Sequence, residues 1–150
     1  MTKKFFFILF YATLAIASAE NTSGIQTRTG DFPVHEMKTQ NKKIVSLVAK
    51  EISQTLPQVI DKYTTLSSVV AKDITLVYTF NINTGSKSDT VVKKEDRSRM
   101  KKAVTVGVCQ SSRKFLEAGI NTSYVYLSAK TKVELFRFDI SQKDCIGLVH

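Results

Sequence analysis

Between Ile74 and Ile82 large apolar positions alternate with smaller, mixed ones. Ile74, Leu76, Tyr78, Phe80 and Ile82 fall on one side, and Thr75, Val77, Thr79 and Asn81 on the other. A period of two marks a strand buried on one face. Thr64 to Ala71, rich in Thr, Ser and Val, suits a preceding strand, and Lys72-Asp73 turns the chain between them. A second hairpin is expected from Ile120 to Ala129, through a turn near Lys130-Thr131, and back from Val133 to Ile140. In its return strand Phe136, Phe138 and Ile140 share one face, with Leu135, Arg137 and Asp139 on the other.

The period changes between and before the hairpins. Ile44, Leu47, Val48 and Ile52 follow helical spacing after Asn41, a candidate cap, and Pro57 stops the helix near Thr55 or Leu56. A second helix is expected shortly after Asp89. Its apolar stripe is Met100, Ala103, Val104, Gly107 and Val108, at i, i+3, i+4, i+7 and i+8. Ser111 or Ser112 can cap a further short turn, closed by Gly119 in the left-handed region. The order α-β-β-α-β-β predicts an α+β domain: a four-stranded, mainly antiparallel sheet of two hairpins, with the N-terminal and central helices on one face. Either strand of the first hairpin can lie beside the second.

The N-terminus does not fit this pattern. Lys3 and Lys4 precede an apolar run from Phe5 to Ala17, and Ala17-Ser18-Ala19 stands before Glu20. A positive start, an apolar middle and small residues at the exit predict a signal peptide over residues 1–19. The polar stretch from 20 to 40 is expected to be a flexible leader, and 41–150 a single domain. No later stretch is long and apolar enough to span a bilayer. Removing Lys3 and Lys4 lowers the formal charge from +9 to +7, which favours anionic partners without choosing among them.

Export gives the two cysteines a meaning. In an oxidising compartment an even count reads as disulfide-bonded, and Cys109 and Cys145 allow one intramolecular pairing. Closing that loop stabilises by roughly 3–4 kcal/mol in the chain-entropy model. His35 and His150 stand far apart without ligand spacing, so no metal, cofactor or His-based catalytic centre is expected. The densest charge run is Lys93 to Lys102. On one continuous helix, Lys94, Arg97 and Lys101 would share a flank able to meet an anionic surface, although a solvated face explains them more simply. No stacking aromatics interleave with these bases, so nucleic acid is not expected.

Val108-Cys109, Arg113 to Gly119, Tyr124-Val125-Tyr126 and Phe136 to Asp144-Cys145 together resemble a group of small bacterial periplasmic domains. In these, a helix cysteine pairs with one after the last strand. The pattern covers Thr64 to Cys145 and is loosely similar to the pilotins of type II secretion systems. Those pilotins are lipoproteins, and this chain has no cysteine at the expected cleavage point. The resemblance implies a non-enzymatic periplasmic or secreted module that binds a protein partner in the envelope, as an accessory or chaperone-like component of a secretion assembly. The alternative is a secreted inhibitor or immunity-type protein that blocks an enzyme or toxin.

Overall fold

The computed structural model describes residues 34–148. The expected signal peptide and the leader up to residue 33 lie outside the described residues, as does His150. The elements run α1 (Val34–Ser53), β1 (Gln58–Val59), β2 (Thr64–Lys72), β3 (Thr75–Ile82), α2 (Asp89–Lys94), α3 (Ser98–Ser111), α4 (Arg113–Glu117), β4 (Asn121–Ser128) and β5 (Glu134–Ile140), then a 3-10 turn over Gln142–Cys145. The sheet order is β1-β2-β3-β4-β5. The β3–β4 pair is parallel, and the other neighbours are antiparallel. The α2–α4 segment therefore crosses over to place β4 beside the second strand of the first hairpin.

The sheet thus has five strands and not the four expected. β1 is two residues long and pairs only with Thr65 and Leu66. So short a strand has no periodicity, and it exists because β2 offers an edge. The α+β class, the two hairpins and the helices on one face agree with the expectation.

α1 begins at Val34, about two turns ahead of the expected cap at Asn41. Asn41 is instead buried inside the helix, where its Nδ2 donates to the Ala118 carbonyl at 2.7 Å. Near the start of the helix, Lys42 (2.9 Å) and Lys38 (3.4 Å) hold Asp73 in the β2–β3 turn. That aspartate sits at φ 54°, where a short polar side chain is tolerated. The buried line of α1 is Asn41, Val45 and Ala49, flanked by Ile44, Val48 and Ile52. Leu47, counted in the expected stripe, is 67% exposed. Small side chains on the inner line let the helix approach the sheet closely.

The charged run also departs from one continuous helix. Ser88 caps α2 through the Val91 amide, but Glu95 is extended and ends the helix. The Asp96 carboxylate then accepts from the Ser98 amide (2.9 Å) and hydroxyl (3.1 Å). This local bonding offers the backbone an alternative to helix and restarts the chain as α3. At the far end Gly119, at φ 83°, closes α4: its amide bonds to Leu116 and the Ile120 amide to Phe115. This pair of bonds is a Schellman ending.

The main core gathers Val45 and Ala49 from α1, Leu66 and Val69 from β2, Leu76 and Phe80 from β3, and Tyr126 and Phe138 from the second hairpin. Met100 and Val104 of α3 pack against the same cluster. A smaller cluster of Val108, Cys109, Leu116 and Ile140 sits beneath the C-terminal turn.

Candidate functional site

Cys109 and Cys145 form a disulfide with Cα atoms 5.5 Å apart, joining α3 to the 3-10 turn. Cys109 is 1% exposed in the smaller cluster. The turn is itself fixed by a reciprocal cap, in which Ser141 donates to the Asp144 carboxylate from both its amide and hydroxyl at 2.8 Å. The clamp therefore holds α3 in place along the β5 side of the sheet.

Meanwhile α1 lies on β2 and touches β3 only at its margin, whereas α3 lies against β5. Both long helices pack against the one core cluster that includes Phe80 of β3 and Tyr126 of β4. Cross-strand register puts Tyr78 beside Tyr124 and Phe80 beside Tyr126, then Tyr124 beside Phe138 and Tyr126 beside Phe136. Their rings stack in series: Tyr78–Tyr124 at 5.0 Å, Tyr124–Phe80 at 5.7 Å, Phe80–Tyr126 at 4.9 Å and Tyr126–Phe136 at 4.6 Å. Phe80 and Tyr126 are buried, while Tyr78 and Tyr124 are half-buried. Burial raises the Tyr78 pKa and pushes Tyr124 and Tyr126 up to about 12, with neighbouring tyrosines adding to the rise at Tyr124. The phenols stay neutral at any physiological pH. The half-buried Tyr78 and Tyr124 present aromatic surface with a polar edge.

Sequence alone shows alternating aromatics on neighbouring strands but cannot tell which lie beneath a helix. It therefore assigns most of them to the core. Phe80, Tyr126 and Phe138 meet that expectation; Tyr78, Tyr124 and Phe136 are only partly buried.

The charged trio is not brought together as one flank. Lys94 ends α2, Lys101 lies in the first turns of α3, and both are exposed. Arg97 sits in the break between the helices. Its guanidinium lies over the Phe136 ring at 4.1 Å and donates to the Glu95 carbonyl at 2.9 Å. This residue is therefore committed to packing. His35 is exposed in the first turn of α1, and no cluster of three metal-ligating side chains occurs among the described residues.

Carboxylates whose pKa is displaced are, among the described residues, all displaced downward. The causes are hydrogen bonds from Lys42 to Asp73, Thr131 to Asp89, Lys87 to Glu95, Ser98 to Asp96, Arg137 to Glu134 and Ser141 to Asp144. A group whose folded pKa is depressed contributes stability above its unfolded pKa, and that stability disappears as pH falls through the folded value. The thermal midpoint should hold steady from neutrality to about pH 5 and drop below about pH 4, near the unperturbed carboxylate value. Melting curves across acid pH check this; a decline already evident near neutrality would contradict it.

Residues 39–136 match the model of a family described as a domain of unknown function (DUF8479). No curated protein matches the chain. Three solved structures share the fold. One, from Pseudomonas aeruginosa and inferred to be secreted, is 17% identical with a TM-score of 0.65, covering 73% of this chain and 96% of its own. The pilotin of the Vibrio vulnificus type 2 secretion system is 12% identical with a TM-score of 0.61, covering 74% and 96%. The type II secretion pilotin of Vibrio cholerae is 14% identical with a TM-score of 0.59, covering 75% and 98%.

Proposed function

The chain belongs to the DUF8479 family, and from that premise and its fold we propose that it is a non-enzymatic accessory of a bacterial secretion or envelope assembly. It works outside the cytoplasm and holds an apolar segment of a protein partner against the half-buried Tyr78 and Tyr124 side chains. The observation that carries this reading is the stacked, half-buried Tyr78–Tyr124 pair, in a fold shared with two type II secretion pilotins. An oxidising compartment agrees with the disulfide. No helix among the described residues is long and apolar enough to cross a membrane. Residues 1–19 would direct export, 20–33 would link, and the remainder would form the working domain. A contribution from an anionic surface rests on Lys94 and Lys101, because Arg97 is occupied by Phe136.

A photo-crosslinking residue placed at Tyr124 should capture a component of the secretion apparatus in cells. The same probe at Leu47, on the outer side of α1, should not. Tyr78→Arg should lower capture from the Tyr124 probe by about tenfold, the loss of a modest aromatic hot spot. Equal capture from both positions would sink this binding site, and recovery of an enzyme or toxin would favour the inhibitor alternative.

A further inference from the structure

Three turns meet at the end of the sheet where β2 and β5 start and β3 and β4 finish. They are residues 60–63, 83–88 and 129–133. Backbone bonds tie them together: the Asn83 amide donates to the Tyr63 carbonyl at 2.8 Å, and the Ala129 amide to the Ile82 carbonyl at 2.8 Å. Between them they carry four lysines, Lys62, Lys87, Lys130 and Lys132, against one carboxylate, Asp61. That carboxylate is engaged inside its own turn, accepting from the Tyr63 amide at 2.7 Å and the Thr64 amide at 2.8 Å. Lys87 is paired with Glu95. Lys62, Lys130 and Lys132 are exposed and form no ion pair among the described residues. Asp89 and Glu134 border these turns, but the Thr131 hydroxyl donates to Asp89 and Arg137 holds Glu134.

The second observation is apolar. Val59 is 74% exposed, Ile60 52% and Tyr63 54%. A single exposed apolar side chain needs no explanation. Here three fall within five residues, on a turn that holds its own shape. The Ile60 and Asp61 amides donate to the Thr64 carbonyl at 2.9 and 3.3 Å, and the Lys62 ammonium lies 4.6 Å from the centre of the Tyr63 ring. Val133, in the third turn, is exposed as well. A turn whose amides are already bonded can leave water without stranding them.

We propose that this end of the sheet docks onto an anionic phospholipid surface. Ile60 and Tyr63 enter the boundary between headgroups and acyl chains, where a ring with a polar end is favoured. Lys62, Lys130 and Lys132 meet the lipid phosphates, and their long stems let the ammonium groups stay in the polar layer. Exposed apolar side chains among unpaired cations suit a layered surface, phosphate above hydrocarbon, better than the hydrated acidic face of a soluble protein. The inference goes beyond the partner-binding reading above and uses none of its residues.

Vesicles test it directly. The exported protein, its mass confirming that residues 1–19 are removed, is sedimented with vesicles of phosphatidylcholine alone, or of phosphatidylcholine mixed about three to one with phosphatidylglycerol. Binding should appear on the anionic vesicles only, and added salt should weaken it. Lys130→Glu should weaken it about tenfold, and Ile60→Ser several-fold. Both positions are exposed, so neither change should move the unfolding midpoint. The chain contains no tryptophan, so Tyr63→Trp reports on its own position. Its emission should shift to shorter wavelength on anionic vesicles, whereas that of Leu47→Trp, on the outer side of α1, should not. Absence of binding, equal binding to neutral vesicles, equal shifts from the two tryptophans, or full binding by either Lys130→Glu or Ile60→Ser would each overturn the proposal. So would tighter binding to soluble polyglutamate than to anionic vesicles, which would point to an acidic protein face. Crosslinking at Tyr124 is a separate measurement, and its failure leaves the vesicle result unaffected.

Discussion

Replacing both Cys109 and Cys145 with serine is expected to lower the unfolding free energy by about 4 kcal/mol. The two residues are 36 apart, and opening that loop restores conformational freedom to the unfolded chain. The folded state loses as well. Cys109 is packed with Val108, Leu116 and Ile140, so a serine there places a hydroxyl in an apolar cluster. Small domains are stable by about 5–15 kcal/mol, which makes the bond a large share of the total. Urea unfolding of the oxidised protein, the reduced protein and the double variant measures it. The reduced and double-variant proteins should unfold at similar, much lower denaturant concentrations. If the double variant instead kept the oxidised midpoint, the clamp would contribute nothing to stability.

Phe80→Ala is expected to cost about 3–5 kcal/mol, the range for deleting a buried phenylalanine side chain. Phe80 lies in the middle of the sheet, opposite Leu66 on β2 and Tyr126 on β4. Its ring meets both Tyr124 and Tyr126. Removing it leaves a hole with walls on three strands, which the sheet cannot close without breaking register. Thermal or denaturant unfolding gives the value directly. A cost below about 1 kcal/mol would mean that the core closes around the gap and that the aromatic series is not a rigid floor.

The two hairpins were legible because the pattern and the environment agree. Leu76, Tyr78, Phe80 and Ile82 alternate in sequence and face one layer in space. The Gly119 ending was legible for a similar reason, since a left-handed position favours glycine; the first hairpin turn was one residue off, because Lys72 pairs with Thr75 and the turn is Asp73-Ile74. Arg97 was not legible. Helical spacing puts it on a flank with Lys94 and Lys101, but Asp96 binds the Ser98 amide and breaks the helix. Asn41 misled in the opposite direction. It has the chemistry of a cap, yet its amide is spent on the Ala118 carbonyl 77 residues away.

From the sequence alone come the α+β class, the pairing of the two cysteines and the apolar face of β3. These depend on near neighbours in the chain or on a single possible partner. Tertiary structure decided the fifth strand, the parallel join of β3 to β4, the early start of α1 and the burial of Asn41. Each of these depends on groups distant in sequence: β1 forms on an edge that β2 supplies, and Asn41 is buried where the Ala118 carbonyl accepts from it. Periodicity reports which side of an element is apolar, and it carries no information about how far apart two apolar elements come to rest.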